Sequence, residues 1–164
     1  GFTETKDKNI DWHPWGDDMT RYMDNFMSGI DTIVLGRKAF EIMEDYWPSE
    51  KVRNEEPVIA KRMNETNKIV ISRSRTSTHW ENTTFVTDIE EVAKLKQQPG
   101  ADIVLFGGGK LAAAFMEKGL VDQYHIIVGS IALGDGNPLF RQKIDLTLVD
   151  TRPMPCGNVI LTYS

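Results

Sequence analysis

Three segments of this chain set glycine or serine beside a basic residue directly after an aliphatic run. Thr32-Ile33-Val34-Leu35 leads into Gly36-Arg37-Lys38, Lys68-Ile69-Val70-Ile71 leads into Ser72-Arg73, and Ile103-Val104-Leu105-Phe106 leads into Gly107-Gly108-Gly109-Lys110. The chemistry these residue types share is anion binding. Glycine lets the main chain approach an oxygen closely, and Arg and Lys supply charge and donors. Where such a turn opens a helix, free N–H groups and the positive end of the helix dipole add to it. Ligands of mostly parallel sheets sit beyond the carboxyl ends of the strands. Arg37, Lys38, Arg73 and Lys110 are therefore expected to gather positive charge at one sheet edge. A phosphorylated cofactor requires such an edge, and Ser72-Arg73 after a strand suits an adenosine 2′-phosphate, which would select NADP over NAD. Each turn alone is also an ordinary structural turn. Their recurrence at three strand ends points to a ligand.

The whole-chain chemistry narrows the partners. The 164 residues fit one domain. They carry 19 Lys plus Arg against 24 Asp plus Glu, a formal charge of −5, which argues against a nucleic-acid partner. No apolar run approaches the roughly 18–20 residues of a membrane span, so no membrane partner is expected. The single cysteine, Cys156, allows neither an internal disulfide nor a Cys-Cys metal cluster, and no His pair has metal-ligand spacing, so no metal is expected. Gly1-Phe2-Thr3-Glu4 shows no signal-peptide pattern. Together these features predict a cytoplasmic protein with a small-molecule substrate.

Alternating β-α units are expected to position the three segments. Met19, Tyr22, Met23, Phe26 and Met27 recur at helical spacing, with Asp17 or Asp18 as N-cap and Gly29 closing the helix. Strands are predicted at 32–35, 68–72, 84–86 and 102–106, and helices at 38–47, 89–97 and 110–118, the last capped by Gly119. The charged stretch 49–67 reads as an irregular surface excursion. After residue 119 the helical period disappears, and 124–131, 146–149 and 159–163 read as strands joined by short turns. Gly107 to Ala112 also fits a loose G-x-G-x-x-A dinucleotide fingerprint. It falls late in the chain, before strands without helical crossovers, so a doubly wound fold is rejected.

Trp12, His13 and Trp15 could stack on a flat heterocycle, and as a loop packing cluster they are equally well explained. His79 in a polar loop and His125 on an apolar strand read as structural, as does Cys156 before the last strand. Leu133 to Phe140 is glycine-rich and reads either as a loop bordering a cleft or as a long hairpin turn.

Gly36-Arg37-Lys38-Ala39-Phe40-Glu41, Lys68-Ile69-Val70-Ile71-Ser72-Arg73 and Ile103 to Leu111 resemble the three cofactor segments of the dihydrofolate reductase fold. The finer resemblance is to the branch holding the reductase domain of the riboflavin-biosynthesis deaminase-reductase. Tyr46-Trp47-Pro48, Met63-Asn64, Trp80-Glu81-Asn82, Gly119 to Tyr124 and Leu133 to Phe140 carry it, in the same order along the whole chain. The resemblance implies a three-layer α/β/α fold with a central mixed, mostly parallel sheet and a C-terminal antiparallel hairpin.

By the same resemblance, Gly36, Arg37 and Lys38 hold cofactor phosphates, and Ser72 and Arg73 take the 2′-phosphate and adenine edge. Phe106 leads into Gly107 and Gly108, a strained and often cis pair beneath the pyrophosphate, with Gly109, Lys110 and Leu111 at the helix start. The implied activity is NADPH-dependent reduction of a small heterocyclic or sugar-linked substrate, of the 5-amino-6-(5-phosphoribosylamino)uracil reductase type. The alternatives are a dihydrofolate reductase acting on a pterin and a non-catalytic NADP-binding domain. Ala39 stands where folate reductases usually place Thr. Counting from Pro14-Trp15, the pterin-binding carboxylate of those enzymes falls at Thr20, which cannot make the bidentate ionic pair. Asp17, Asp18 and Thr20 are the candidates for the proton-donating position, and Trp12 and Trp15 for substrate contact. The deaminase half of the riboflavin enzyme is excluded, because its zinc site needs a second cysteine. Dimers are common in this branch, which leaves a homodimer through the C-terminal strands open. The family's first strand normally precedes a Gly-Phe like Gly1-Phe2, so a single domain over 1–164 is expected to lack that strand.

Overall fold

The computed structural model describes the chain except residues 8, 10–12, 107 and 108. In chain order its elements are β1 (Phe2–Glu4), α1 (Asp17–Ser28), β2 (Ile30–Gly36), α2 (Arg37–Tyr46), α3 (Glu50–Glu55), α4 (Pro57–Glu65), β3 (Asn67–Ile71) and β4 (Thr83–Val86). There follow α5 (Glu90–Leu95), β5 (Asp102–Phe106), α6 (Gly109–Glu117), β6 (Tyr124–Val128), β7 (Asn137–Pro138), β8 (Leu148–Pro153) and β9 (Val159–Tyr163). They form two compact units, Tyr22–Leu111 and Gly1–Arg21 with Ala112–Ser164. The architecture is mixed α/β, with a parallel sheet in the first unit and antiparallel strands in the second. No described helix is long and apolar enough to cross a membrane.

The Tyr22–Leu111 unit is built on a four-stranded parallel sheet of order β4-β3-β2-β5. Thr32 to Leu35 in β2 are all buried, as a strand paired on both edges and covered on both faces requires. Register settles which side chains share a face, because directly opposed residues point the same way. Ile33 faces Lys68 and Val104, Leu35 faces Val70 and Phe106, and Val70 faces Phe85. This face meets Met27 of α1, Phe40 of α2, Ile59 and Met63 of α4, and Trp80 in one apolar cluster. Phe40 is fully buried, 5.8 Å from the Trp80 ring and 5.5 Å edge-on to Phe85. Each such ring pair adds about 0.5–1.5 kcal/mol beyond its area burial.

The expectation of an irregular excursion over 49–67 is corrected. Ser49 caps α3, its Oγ accepting the Val52 N–H at 3.3 Å, and Pro57 opens α4 where its missing N–H costs nothing. Val52, Ile59, Ala60 and Met63 are buried. Their helical spacing was present in the sequence, diluted by surrounding charge.

Lys68 is also buried on the core face. Its Nζ donates to the carbonyls of Met63, Asn64 and Thr66 at 3.0, 3.1 and 2.8 Å. These are carbonyls at the end of α4, so the ammonium caps that helix and meets the negative end of its dipole. Nζ also lies 4.6 Å from the centroid of the Trp80 ring. Burial pushes the ammonium down to about 8 from its usual 10.5, with nearby Glu81 opposing. Asn64 completes the joint: Nδ2 donates to Ala60 O at 2.8 Å and Trp47 O at 3.0 Å, and Oδ1 accepts Trp80 Nε1 at 2.7 Å.

In the other unit, β6, β9 and β8 form an antiparallel sheet, and β1 pairs with β7. The β8–β9 hairpin turns at Gly157, whose φ of +96° favours glycine. The expected strand at 124–131 stops at Val128, and the one at 146–149 lies instead at Leu148–Pro153. The glycine-rich stretch after Leu133 contains β7, which no sequence period signalled. Gly119 ends α6 as expected. Its N–H donates to Met116 O at 3.0 Å while Leu120 N–H donates to Phe115 O at 3.0 Å, a Schellman closure with φ of +62° at the glycine.

Candidate functional site

Parallel register brings the carboxyl ends of three strands to one edge of the Tyr22–Leu111 unit. Gly36 faces Ile71 and Leu35 faces Phe106, with β2 between β3 and β5. Neighbouring strands are roughly 4.8 Å apart. Ser72-Arg73, Gly36-Arg37-Lys38 and Gly109-Lys110-Leu111 thus leave or border adjoining strand ends, as their spacing predicts. Gly107 and Gly108 lie outside the described residues.

The chain passes from β2 into α2 without an intervening loop. Gly36 is the extended N-cap residue (φ −82°, ψ 154°), with no side-chain cap and no acidic residue in the first turn. The first-turn N–H groups therefore have no carboxylate or hydroxyl cap, and the end of the helix is suited to an external anion. Leu111 Cδ2 lies 3.4 Å from the position of a β-carbon on Gly36, so the start of α6 packs onto this turn. Phe106 turns its side chain into the core, leaving its main chain as the part available to a ligand.

The four basic residues are not equivalent. Arg37 Nη1 contacts both carboxylate oxygens of Glu41, at 2.8 and 3.1 Å. Both side chains are exposed, and such pairs contribute about 0–1 kcal/mol, so this one is easily released. Lys38, Arg73 and Lys110 are exposed and have no ion-pair partner among the described residues. Ser72 continues the ladder by donating its N–H to Val86 O at 2.9 Å. Its Oγ accepts the N–H groups of Ser74 and Arg75 at 3.3 and 3.0 Å, which folds the loop beyond β3.

Three members of this region escaped the sequence reading. Arg75 reaches back to α2 and grips Glu44 through both terminal nitrogens, Nη1 to Oε1 and Nη2 to Oε2 at 2.7 Å. Thr78 Oγ1 donates to the same carboxylate at 2.8 Å. Glu44 is buried although acidic. A signal existed, because Glu44 stands four residues after Phe40 on the apolar stripe of α2.

The other unit holds the remaining candidates. Trp15 is half exposed, and its Nε1 donates to Thr20 Oγ1 at 3.1 Å. Thr20 Oγ1 lies 3.4 Å from Gly16 O, to which it donates. Asp18 Oδ2 accepts the Cys156 N–H at 3.1 Å, and this bond holds the carboxyl below the usual carboxylate range. A β-carbon on Gly16 would sit 2.8 Å from Asp18 Oδ1, so glycine is required there for this arrangement. Asn158, missed by sequence, is buried and donates Nδ2 to Pro14 O at 2.8 Å, fixing the segment before Trp15. Asp17 opens α1 on the solvent side. Trp12 lies outside the described residues.

Comparison with known proteins places the chain in a family. The family model described as RibD C-terminal domain matches residues 1–160. The uncharacterized protein YyaP of Bacillus subtilis (strain 168) is 36% identical over 168 residues, covering 99% of this chain and 88% of that protein. A protein provisionally assigned to riboflavin biosynthesis in Shewanella sp. PV-4 shares the fold at a TM-score of 0.72 and 19% identity, over 99% of this chain and 91% of the other. Dihydrofolate reductase from Enterococcus faecalis, complexed with NADP(H) and RAB-propyl, shares it at 0.60 and 18%, over 98% and 86%. The fold is thus of the dihydrofolate reductase type, and the chain belongs to the RibD C-terminal domain family.

Proposed function

We propose that this chain is an NADPH-dependent reductase acting on a small heterocyclic or sugar-linked substrate, of the 5-amino-6-(5-phosphoribosylamino)uracil reductase type. The observation that carries the reading is the convergence of three basic strand-end segments on one sheet edge, beside a helix start with no side-chain cap. The residues present fit a phosphorylated dinucleotide: Arg37, Lys38, Arg73 and Lys110 are exposed, the first turn of α2 carries no acid, and Ser72 is buried at the root of the loop that carries Arg73. In this reading the α2 start with Arg37 and Lys38, and the α6 start at Gly109, Lys110 and Leu111, take the pyrophosphate. Ser72 and Arg73 take the 2′-phosphate. NADPH, when bound, supplies a hydride. The chain's contribution is to hold donor and acceptor in register and exclude water.

The pterin reading is disfavoured by the partners already engaged in the other unit. Thr20 carries a hydroxyl, engaged by Trp15 and Gly16, where a carboxylate is needed, and Asp18 has Oδ2 committed to the Cys156 N–H. Asp17 is the member of that trio whose carboxylate is uncommitted among the described residues. The same reading takes the protein as cytoplasmic and leaves a homodimer open.

Loss of NADPH absorbance on adding 5-amino-6-(5-phosphoribosylamino)uracil, with dihydrofolate in parallel, tests the proposal. Turnover of the pyrimidine alone supports it. Turnover of dihydrofolate alone makes the chain a folate reductase, and NADPH binding without oxidation by either makes it a non-catalytic binding domain.

A further inference from the structure

The loop that follows β3 carries two arginines with different fates. Arg73 is exposed and has no partner among the described residues. Arg75 is turned inward, its guanidinium forked onto Glu44 and lying 5.3 Å from the Phe40 ring centroid. Arg75 Nε donates to Ser77 O at 3.2 Å, and Thr78 Oγ1 both donates to Glu44 and accepts the Trp80 N–H at 3.0 Å. One buried carboxylate on α2 therefore gathers Arg75 and Thr78. Together with the two N–H bonds onto Ser72 Oγ, it fixes the path of residues 72–80.

We propose that Glu44 is a positioning residue that sets preference for 2′-phosphorylated nucleotides, acting through Arg75. The inference rests on the nucleotide reading given above. Glu44 is buried and has no route to a ligand of its own. It consumes the charge of Arg75, so that Arg73 is the loop cation facing outward, and it holds the short segment between Ser72 and Arg75 in one conformation. Without that anchor the loop loses its link to α2, and Arg73 must be ordered by the ligand itself, at an entropic cost paid on binding. Discrimination by a preordered cation is the property that should fall. Binding of the part of the nucleotide that lacks a 2′-phosphate should not.

Calorimetric titration of the full chain with adenosine 2′,5′-bisphosphate and with adenosine 5′-monophosphate separates these outcomes. Two variants are used: Glu44→Gln, and Glu44→Met combined with Arg75→Met, which removes both charges and leaves no ion buried alone. In each, affinity for the bisphosphate is expected to drop about tenfold, while monophosphate affinity stays unchanged. A folded variant that keeps the wild-type preference overturns the proposal. So does one that loses both nucleotides equally, or one in which a released Arg75 strengthens bisphosphate binding. If neither variant melts cooperatively, Glu44 serves the fold itself, and the positioning role is overturned. A wild-type chain that fails to distinguish the two nucleotides is a separate result, seen before any substitution, and it removes the nucleotide reading together with this inference.

Discussion

Leu111, at the start of α6, stands against Gly36, the last residue of β2, with its Cδ2 3.4 Å from where a β-carbon on that glycine would be. Two of the three basic segments are thereby held together by an apolar contact rather than by the charges they carry. The backbone at Gly36 is ordinary extended chain, so conformation does not demand glycine there. A single β-carbon would meet Leu111 at ordinary contact distance, so what glycine supplies here is an open main chain and the room that a branched side chain would fill.

Gly36→Val tests that contact. Overpacking against Leu111 is expected to cost about 1–3 kcal/mol in urea unfolding. Combining it with Leu111→Ala should recover part of that stability, while NADPH binding stays weakened because the side chain still blocks approach to the main chain. Full recovery of both would mean that the glycine serves packing alone.

Arg73→Gln addresses the 2′-phosphate. A hydrogen bond to a charged group contributes about 1.5–3 kcal/mol, so NADPH affinity should fall by roughly tenfold or more while NADH affinity is unchanged. Lys110→Gln should weaken both cofactors alike, since its expected partner is the shared pyrophosphate. Fluorescence titration reads both.

Lys68 ties stability to alkaline pH. Its folded-state value of about 8 lies below the usual 10.5, so between those values the unfolded chain binds more protons than the folded one. Stability from this group therefore rises with pH across that window. Relative to Lys68→Met, the wild type should gain stability from about pH 8 to 10.5 in denaturant titrations. A flat difference up to pH 10.5 would mean the ammonium is unperturbed. At neutral pH the variant should be less stable, because three carbonyls lose their donor.

Asp18 works at the acid end. Its carboxyl is held below its usual 3.8 by the Cys156 N–H, so its contribution is present above that value and is lost as pH falls through the lower folded one. Thermal melts should show the advantage of wild type over Asp18→Asn at neutral pH and its disappearance in stronger acid. Gly16→Ala should mimic the loss at neutral pH, because the added methyl group meets the Asp18 carboxylate.

What the sequence made legible was local. Gly36-Arg37-Lys38 and Ser72-Arg73 announce themselves within three residues, and parallel pairing then brings them to a common edge with no further information. Gly119 was readable as a helix end because a single left-handed residue does the work. Pairings across distance were not readable. Nothing near Glu44 in the chain names Arg75 as its partner, and nothing near Pro14 names Asn158. The helices α3 and α4 were missed for a different reason. Their buried residues are few, and the charges between them gave the stretch the composition of a loop. Lys68 was read simply as the first residue of a strand, because a buried ammonium satisfied by three carbonyls leaves no trace in local pattern.

If the basic edge of the parallel sheet is an NADPH site, the purified chain must bind that cofactor and prefer it to NADH. Equilibrium titration of the purified chain with NADPH and with NADH, followed by tryptophan fluorescence, tests it most directly. Saturable binding of NADPH, at least about tenfold tighter than that of NADH, is expected. Absence of NADPH binding, or NADH bound as tightly, would contradict it.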